Sequence, residues 1–185
     1  LCQSYRLAQR RLISSLMTKN KVLIFGATGM AGHIVYYYLQ NTGRYEVVNA
    51  VYRTKLTDDS IVVDVTDKDA VANLVRETRS DLIINCIGVL IKGSKDHPDN
   101  AIFINAYFPH LLKKLADEVG AKLIHVSTDC VFSGKKGNYN ESDFRDADDI
   151  YGRSKALGEI INDKDLTIRT SIIGPELKLN GEGLF

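Results

Sequence analysis

Short apolar runs alternate with longer stretches of helical period along most of the chain. The first run, Val22 to Phe25, ends abruptly in Gly26, Gly29 and Gly32, and an amphipathic pattern follows from about Met30 to Gln40. This reads as a buried strand, a tight turn and a helix that stops near Asn41-Thr42-Gly43. Ile34, Val35, Tyr38 and Leu39 are expected to face the sheet, and the Tyr36 to Tyr38 run suits packing better than a stacking platform. Strands are predicted over Tyr45–Tyr52, Ile61–Val63, Asp81–Ile87, Lys122–Ser127 and Leu166–Thr170. Helices are predicted over Thr66–Arg79, with Val71, Leu74 and Val75 on one face, over Ala101–Val119 with Gly120 as its stop, and over Ile150–Ile161. Residues 88–98 read as a loop, and Ser133 to Asp149 as a polar connection.

Strands that alternate with helices at this spacing imply parallel pairing through right-handed crossovers. The strands are apolar throughout, as expected when helices cover both faces of a sheet. The predicted fold class is therefore α/β, a doubly wound parallel sheet of the Rossmann type. In such sheets ligands lie across the carboxyl ends of the strands.

Composition narrows the classes of function. The chain has 185 residues, 44% hydrophobic and 25% charged, and a net charge of +1. That suits a globular domain and gives no field that would recruit nucleic acid or an anionic membrane. No apolar run approaches a membrane span. Three widely spaced cysteines, Cys2, Cys86 and Cys130, suit a reducing, cytoplasmic compartment, and neither they nor the four histidines show the spacing of a metal site. Leu1 to Asn20 carry Arg6, Arg10, Arg11 and Lys19 and no acidic residue. Residues 1–16 are read as an upstream, tag or basic targeting segment outside the fold, with Met17 as the natural start. The domain is expected over residues 17–174, and residues 175–185 read as its exit.

The candidate chemistry follows the strand ends. The glycine turn supplies a helix N-terminus with unpaired N–H groups, a site for a pyrophosphate. Gly26 allows the turn, Gly29 a close backbone approach, and Gly32 close helix–strand packing. After the second strand, Arg53 and Lys55 stand where an acidic residue would bind ribose hydroxyls in an NAD-binding protein. Two cations there suit a 2′-phosphate, hence NADP(H). Asp64, after the third strand, could bind an adenine amino group or serve, with Thr66, as a turn or helix cap. Residues 85–88 end in a small residue where a ribose could approach. The cofactor surface is thus expected to comprise Gly26, Thr28, Gly29, Met30, Gly32, Arg53, Asp64, Val65, Cys86, Ile87 and Gly88, together with Tyr151 and Lys155. Tyr151 and Lys155 sit at i and i+4 on one helix face. An ammonium there favours phenolate and would lower the tyrosine pKa, making Tyr151 a proton donor near neutral pH. Ser127-Thr128-Asp129 supplies a hydroxyl to polarise a carbonyl. Cys86 and Cys130 follow neighbouring strands; they are read as two buried small apolar residues, with a redox pair as the alternative.

GATGMAG, Asp64-Val65-Thr66-Asp67, Asn105-Ala106, STDCVFSG and YGRSKALGE resemble the extended short-chain dehydrogenase/reductase superfamily. Within it, the STD-x-VF-x-G run followed by YGRSK, GE and IRTS is similar to the dTDP-4-dehydrorhamnose reductase family of sugar-nucleotide reductases. The resemblance covers about Lys21 to Gly174. It implies Thr128, in preference to Ser127, as the catalytic hydroxyl, Tyr151 as acid/base and Lys155 as its partner. It also implies that Asn105, matching an asparagine on the fourth helix of related enzymes, orders the lysine and a water. The expected activity is NADP(H)-dependent reduction of a 4-keto nucleotide-sugar in polysaccharide biosynthesis. Its partners would be the nucleotide-sugar and, in a homodimer, a second copy of the chain. The family continues into a smaller substrate-binding lobe, so residues 175–185 are expected to begin that lobe and the chain to be a partial one.

Two alternatives keep the fold. An epimerase or dehydratase would use the same Thr/Tyr/Lys set, although a dehydratase would usually show an acidic pair beside the threonine, where Asp129 is followed here by Cys130. A non-catalytic NADP-binding regulatory subunit is the other.

Overall fold

The computed structural model describes residues 19–177. The basic segment 1–16, the start at Met17, Cys2 and the tail from residue 178 onward lie outside the described residues. Six parallel strands form one sheet: β1 (Asn20–Phe25), β2 (Tyr45–Val51), β3 (Ile61–Val62), β4 (Leu82–Asn85), β5 (Lys122–Ser127) and β6 (Leu166–Arg169). Their order is β3-β2-β1-β4-β5-β6. The connections reverse direction between β1 and β4, which opens the crevice where doubly wound sheets bind ligands.

Residues of β1 alternate between two cores, one on each face. Leu23 and Phe25 join Val71, Val75, Phe108 and Leu112; Val22 and Ile24 join Tyr36, Val51 and Ile84. Phe25 and Phe108 meet edge to face, with ring centroids 5.7 Å apart. The helices are α1 (Met30–Thr42), α2 (Lys68–Thr78), α3 (Ile91–Asp96), α4 (Pro98–Ala101), α5 (Phe108–Val119) and α6 (Ile150–Leu157). Among the described residues, no helix is long and apolar enough to cross a membrane.

Gly43 and Gly120 end α1 and α5 in the left-handed conformation, at φ 65° and 77°, as the sequence pattern predicts. Other expectations are corrected. The buried face of α1 is Gly32, His33 and Tyr36, with Val35 and Leu39 packed against the core as expected, while Ile34 and Tyr38 are 50% and 65% exposed. The triple-tyrosine run masks the helical stripe, because only its first member packs inward. The cap of α2 is Asp67, whose carboxylate accepts the N–H groups of Asp69 and Ala70. Residues 91–96, read as loop, form α3.

The helix expected over residues 101–119 contains a π-helical turn, Ile102–Tyr107, between α4 and α5. Pro109 explains it: proline has no N–H to donate to the Asn105 carbonyl four residues earlier, so the helix widens there. The last helix stops at Leu157 instead of Ile161. Thr167 Oγ1 accepts the Ile160 N–H at 3.0 Å and donates to the Ile160 carbonyl at 2.9 Å, diverting the chain onto the start of β6.

Candidate active site

Gly26 lies at φ +79°, and a Cβ there would meet the Ile87 side chain at 2.8 Å. A Cβ on Gly32 would lie 2.1 Å from the Gly26 carbonyl oxygen. Both positions therefore require glycine, one for the turn and one for helix–strand contact. Gly29 caps α1 with no side-chain hydrogen bond, and the first turn carries no acidic residue. Its N–H groups stay available to an anion. His33, buried one turn on, bonds the Gly29 carbonyl through Nδ1 at 2.8 Å and so braces the turn.

A cavity of about 480 Å³ opens against this turn at the carboxyl ends of β1, β2, β3 and β4. Of the expected cofactor residues, Gly26, Thr28, Gly29, Asp64, Val65, Cys86, Ile87 and Gly88 line it. Met30, Gly32 and Arg53 are not among the lining residues; Gly32 acts beneath the turn. Val89, Asn100 and Ile104, absent from the sequence expectation, also contribute. Val89 precedes α3, Asn100 lies in α4 and Ile104 in the π-turn. Arg53 stacks over the Tyr52 ring, 4.6 Å from its centroid, and donates to the Tyr52 hydroxyl at 3.0 Å. Tyr52 lines the cavity, which places the guanidinium at its rim. Lys55 turns away and donates to the Asp58 carbonyl. Asp64 has the turn role: it accepts the Thr66 N–H and hydroxyl, and these bonds hold its pKa below the usual carboxylate value.

The second half of the site is built where α6 meets the end of β5. A Cβ on Gly152 would lie 2.3 Å from the Cys130 carbonyl oxygen, and one on Gly158 would lie 1.9 Å from that of Asn105. These two glycines let α6 press against both the β5 end and the π-turn. Thr128, 5% exposed, caps the short 3₁₀ turn Asp129–Val131, accepts the Cys130 N–H at 3.1 Å and donates weakly to Asp129 at 3.3 Å. Ser127 is committed elsewhere, donating to Glu159 at 2.9 Å.

Burial raises the Tyr151 pKa above 10; the Thr128 side chain opposes this, while Cys130, Asp129 and Asp149 add to it. The expected lowering by Lys155 does not occur. The Lys155 ammonium, 3% exposed, donates instead to the Val126 carbonyl at 2.7 Å and faces His125 Nε2 at 3.4 Å. Burial pulls its own pKa from 10.5 down to about 8. Asn105 is fully buried on the π-turn, exchanges two hydrogen bonds with the Val89 backbone and donates to Ser154. It reaches α6 through Ser154, next to Lys155. Gly88 joins the two halves: a Cβ there would lie 3.6 Å from Asn105 Oδ1 and 3.9 Å from Lys155 Nζ.

Sequence reasoning assigned no role to Glu159. Its side chain is 1% exposed and receives Arg145, Arg169 and Ser127. Burial alone would raise its pKa; the bonds from Arg169, Arg145 and Ser127 overcome this and lower it. Arg169 also lies over the Phe132 ring, which stacks on Tyr139. The cluster ties β5, β6 and the 133–149 connection together. A glutamate beside glycine at a helix end was its only sequence signal. Cys86 is half-buried, with its thiol pushed up to about 12 by burial. Cys130 is exposed, contrary to its reading as a buried apolar residue.

The sheet order, the glycine turn and the Thr/Tyr/Lys placement define a Rossmann-type domain of the extended short-chain dehydrogenase/reductase class. More narrowly, the chain belongs to the family described as RmlD substrate binding domain, whose model matches residues 20–175. It is 34% identical over 158 residues to a probable low-salt glycan biosynthesis reductase of Haloferax volcanii, covering 81% of this chain and 52% of that protein. It is 31% identical over 140 residues to the bovine methionine adenosyltransferase 2 subunit beta, covering 75% and 41%. Among solved structures, dTDP-4-dehydrorhamnose reductase of Bacillus anthracis in complex with NADP superposes with a TM-score of 0.72 at 30% identity, covering 86% of this chain and 57% of that one. The chain spans about half the length of the curated relatives it matches.

Proposed function

We propose that this chain forms the cofactor-binding and catalytic part of an NADP(H)-dependent reductase of a 4-keto nucleotide-sugar. One observation carries the reading: the cavity behind the glycine turn meets, at Gly88, the buried side chains of Asn105 and Lys155, one turn along α6 from the half-buried Tyr151. The residues fit the cofactor, since two glycines keep the cradle free of Cβ atoms and the first turn of α1 presents unpaired N–H groups. Similarity to an NADP complex supports the choice of nucleotide, as does Arg53 at the rim, a guanidinium suited to a 2′-phosphate.

When held by the glycine turn, a nicotinamide cofactor would supply the hydride that reduces the substrate ketone. Thr128 turns its hydroxyl from Asp129 to the ketone oxygen and stabilises the charge that develops there. Tyr151, kept protonated by burial, gives its proton to the forming alkoxide, a far stronger base than phenolate. Lys155 lies against Gly88 and orients ribose hydroxyls, while Asn105 positions it through Ser154. A hydride and a proton add across the C=O bond, and a secondary alcohol results.

A regulatory subunit that binds NADP(H) without turnover is the second reading, supported by similarity to methionine adenosyltransferase 2 subunit beta. Following NADPH oxidation by absorbance with a panel of 4-keto nucleotide-sugars decides between them. Oxidation with one of these substrates supports the reductase. Tight NADPH binding with no oxidation by any of them supports the regulatory subunit.

A further inference from the structure

Asn85, His125 and Lys155 form a buried polar chain that the proposed reaction uses only at its last member. Asn85 and His125 are fully buried and stand opposite each other in the register of β4 and β5. Asn85 Oδ1 accepts the Ile87 N–H at 3.1 Å, which fixes the orientation of the amide. Its Nδ2 therefore faces His125 Nδ1, 3.1 Å away. An amide nitrogen can only donate, so Nδ1 must accept. The imidazole proton then resides on Nε2, which points at Lys155 Nζ from 3.4 Å. A neutral amine has a lone pair to receive that N–H; an ammonium has none and opposes it with an N–H of its own.

We propose that His125, held by Asn85 as the Nε2–H tautomer, is a positioning residue that disfavours the ammonium form of Lys155 and so sets the alkaline limit of its charged state. That Lys155 serves a cofactor rests on the function proposed above; the tautomer and the titration do not.

The surroundings agree. Burial is the largest influence on Lys155 and acts in the same direction, while Glu159, beyond the end of α6, and Cys86, after β4, act against it. Tyr151 lies one turn earlier on α6. His125 stays neutral, because burial pushes its pKa well below 6.5 and Lys155 and His110 of α5 add to the effect. Its ring can therefore serve as a fixed donor. As pH rises through about 8, Lys155 loses the charge that would hold ribose hydroxyls.

The test is an imidazole ¹⁵N spectrum of the whole chain without cofactor, with the Lys155 side-chain signal followed through a pH titration. His125 is expected to carry its proton on Nε2 and to stay neutral as pH falls through 6.5, where an ordinary imidazole would charge. In Asn85→Asp, the isosteric carboxylate keeps the Ile87 N–H bond and accepts a hydrogen bond from an Nδ1–H. The tautomer should invert, and the Lys155 midpoint should rise by about one unit or more. A wild-type His125 protonated on Nδ1 overturns the proposal, whether or not the variant folds. So does a folded Asn85→Asp chain that keeps the Nε2–H tautomer or the wild-type midpoint. Neither NADPH nor sugar is present, so failure here and failure of NADPH oxidation are separate results.

Discussion

Replacing Lys155 with methionine is expected to stabilise the fold at neutral pH while removing function. Lys155 is 3% exposed, and its pKa falls from 10.5 to about 8. At pH 7 it is charged in both the folded and unfolded chain, so the whole penalty of burying the ammonium is present, roughly 3 kcal/mol. Methionine fills a similar volume without the charge. The Val126 carbonyl loses its donor, at a cost of about 1–2 kcal/mol. The net expectation is a gain of about 1–2 kcal/mol at pH 7. The sign of the pH dependence follows from the folded pKa lying below the unfolded one. Between about pH 8 and 10.5 the unfolded chain binds more protons, so wild-type stability rises with pH. Lys155→Met lacks that rise, and its advantage should vanish by about pH 10. Urea unfolding midpoints at the two pH values test this. A variant less stable than wild type at pH 7, or an advantage unchanged at pH 10, would refute the claim that the ammonium is held at a cost.

Three further outcomes follow from other parts of the site. Glu159→Gln should lose about 2–4 kcal/mol at pH 7, because Arg145 and Arg169 lose the charge they enclose. Since the Glu159 pKa is lowered on folding, its contribution is present above the unfolded value and lost as pH falls through the folded one; thermal unfolding should show the two chains converging in acid. Gly32→Ala places a Cβ 2.1 Å from the Gly26 carbonyl oxygen, and a fluorescence titration should show NADPH affinity reduced by about tenfold or more. Arg53→Ser should weaken NADPH about 10- to 100-fold and leave NADH nearly unchanged; equal losses for both nucleotides would remove Arg53 from the 2′-phosphate.

The periodic features were legible because they are local. Val22 to Phe25 is apolar on every position and is buried on both faces; Gly43 and Gly120 stop their helices where the pattern ends. What the pattern missed depends on partners distant in sequence. Tyr36, Tyr37 and Tyr38 look alike, and only contact with the sheet selects Tyr36. Spacing puts Tyr151 and Lys155 on one helix face, but the lysine bends toward His125 and Val126, 30 and 29 residues earlier in the chain and out of reach of any local rule. The π-turn at Asn105 could have been suspected from Pro109 four residues on. Glu159 could not, since its partners come from β5, β6 and the 133–149 connection.

The account turns most directly on Tyr151 as the proton donor. NADPH oxidation with a 4-keto nucleotide-sugar, measured for wild type and Tyr151→Phe with NADPH affinity determined in parallel, tests it. The predicted result is a rate lower by about 10²- to 10⁴-fold with affinity unchanged. A Tyr151→Phe protein that oxidises NADPH at the wild-type rate would contradict it.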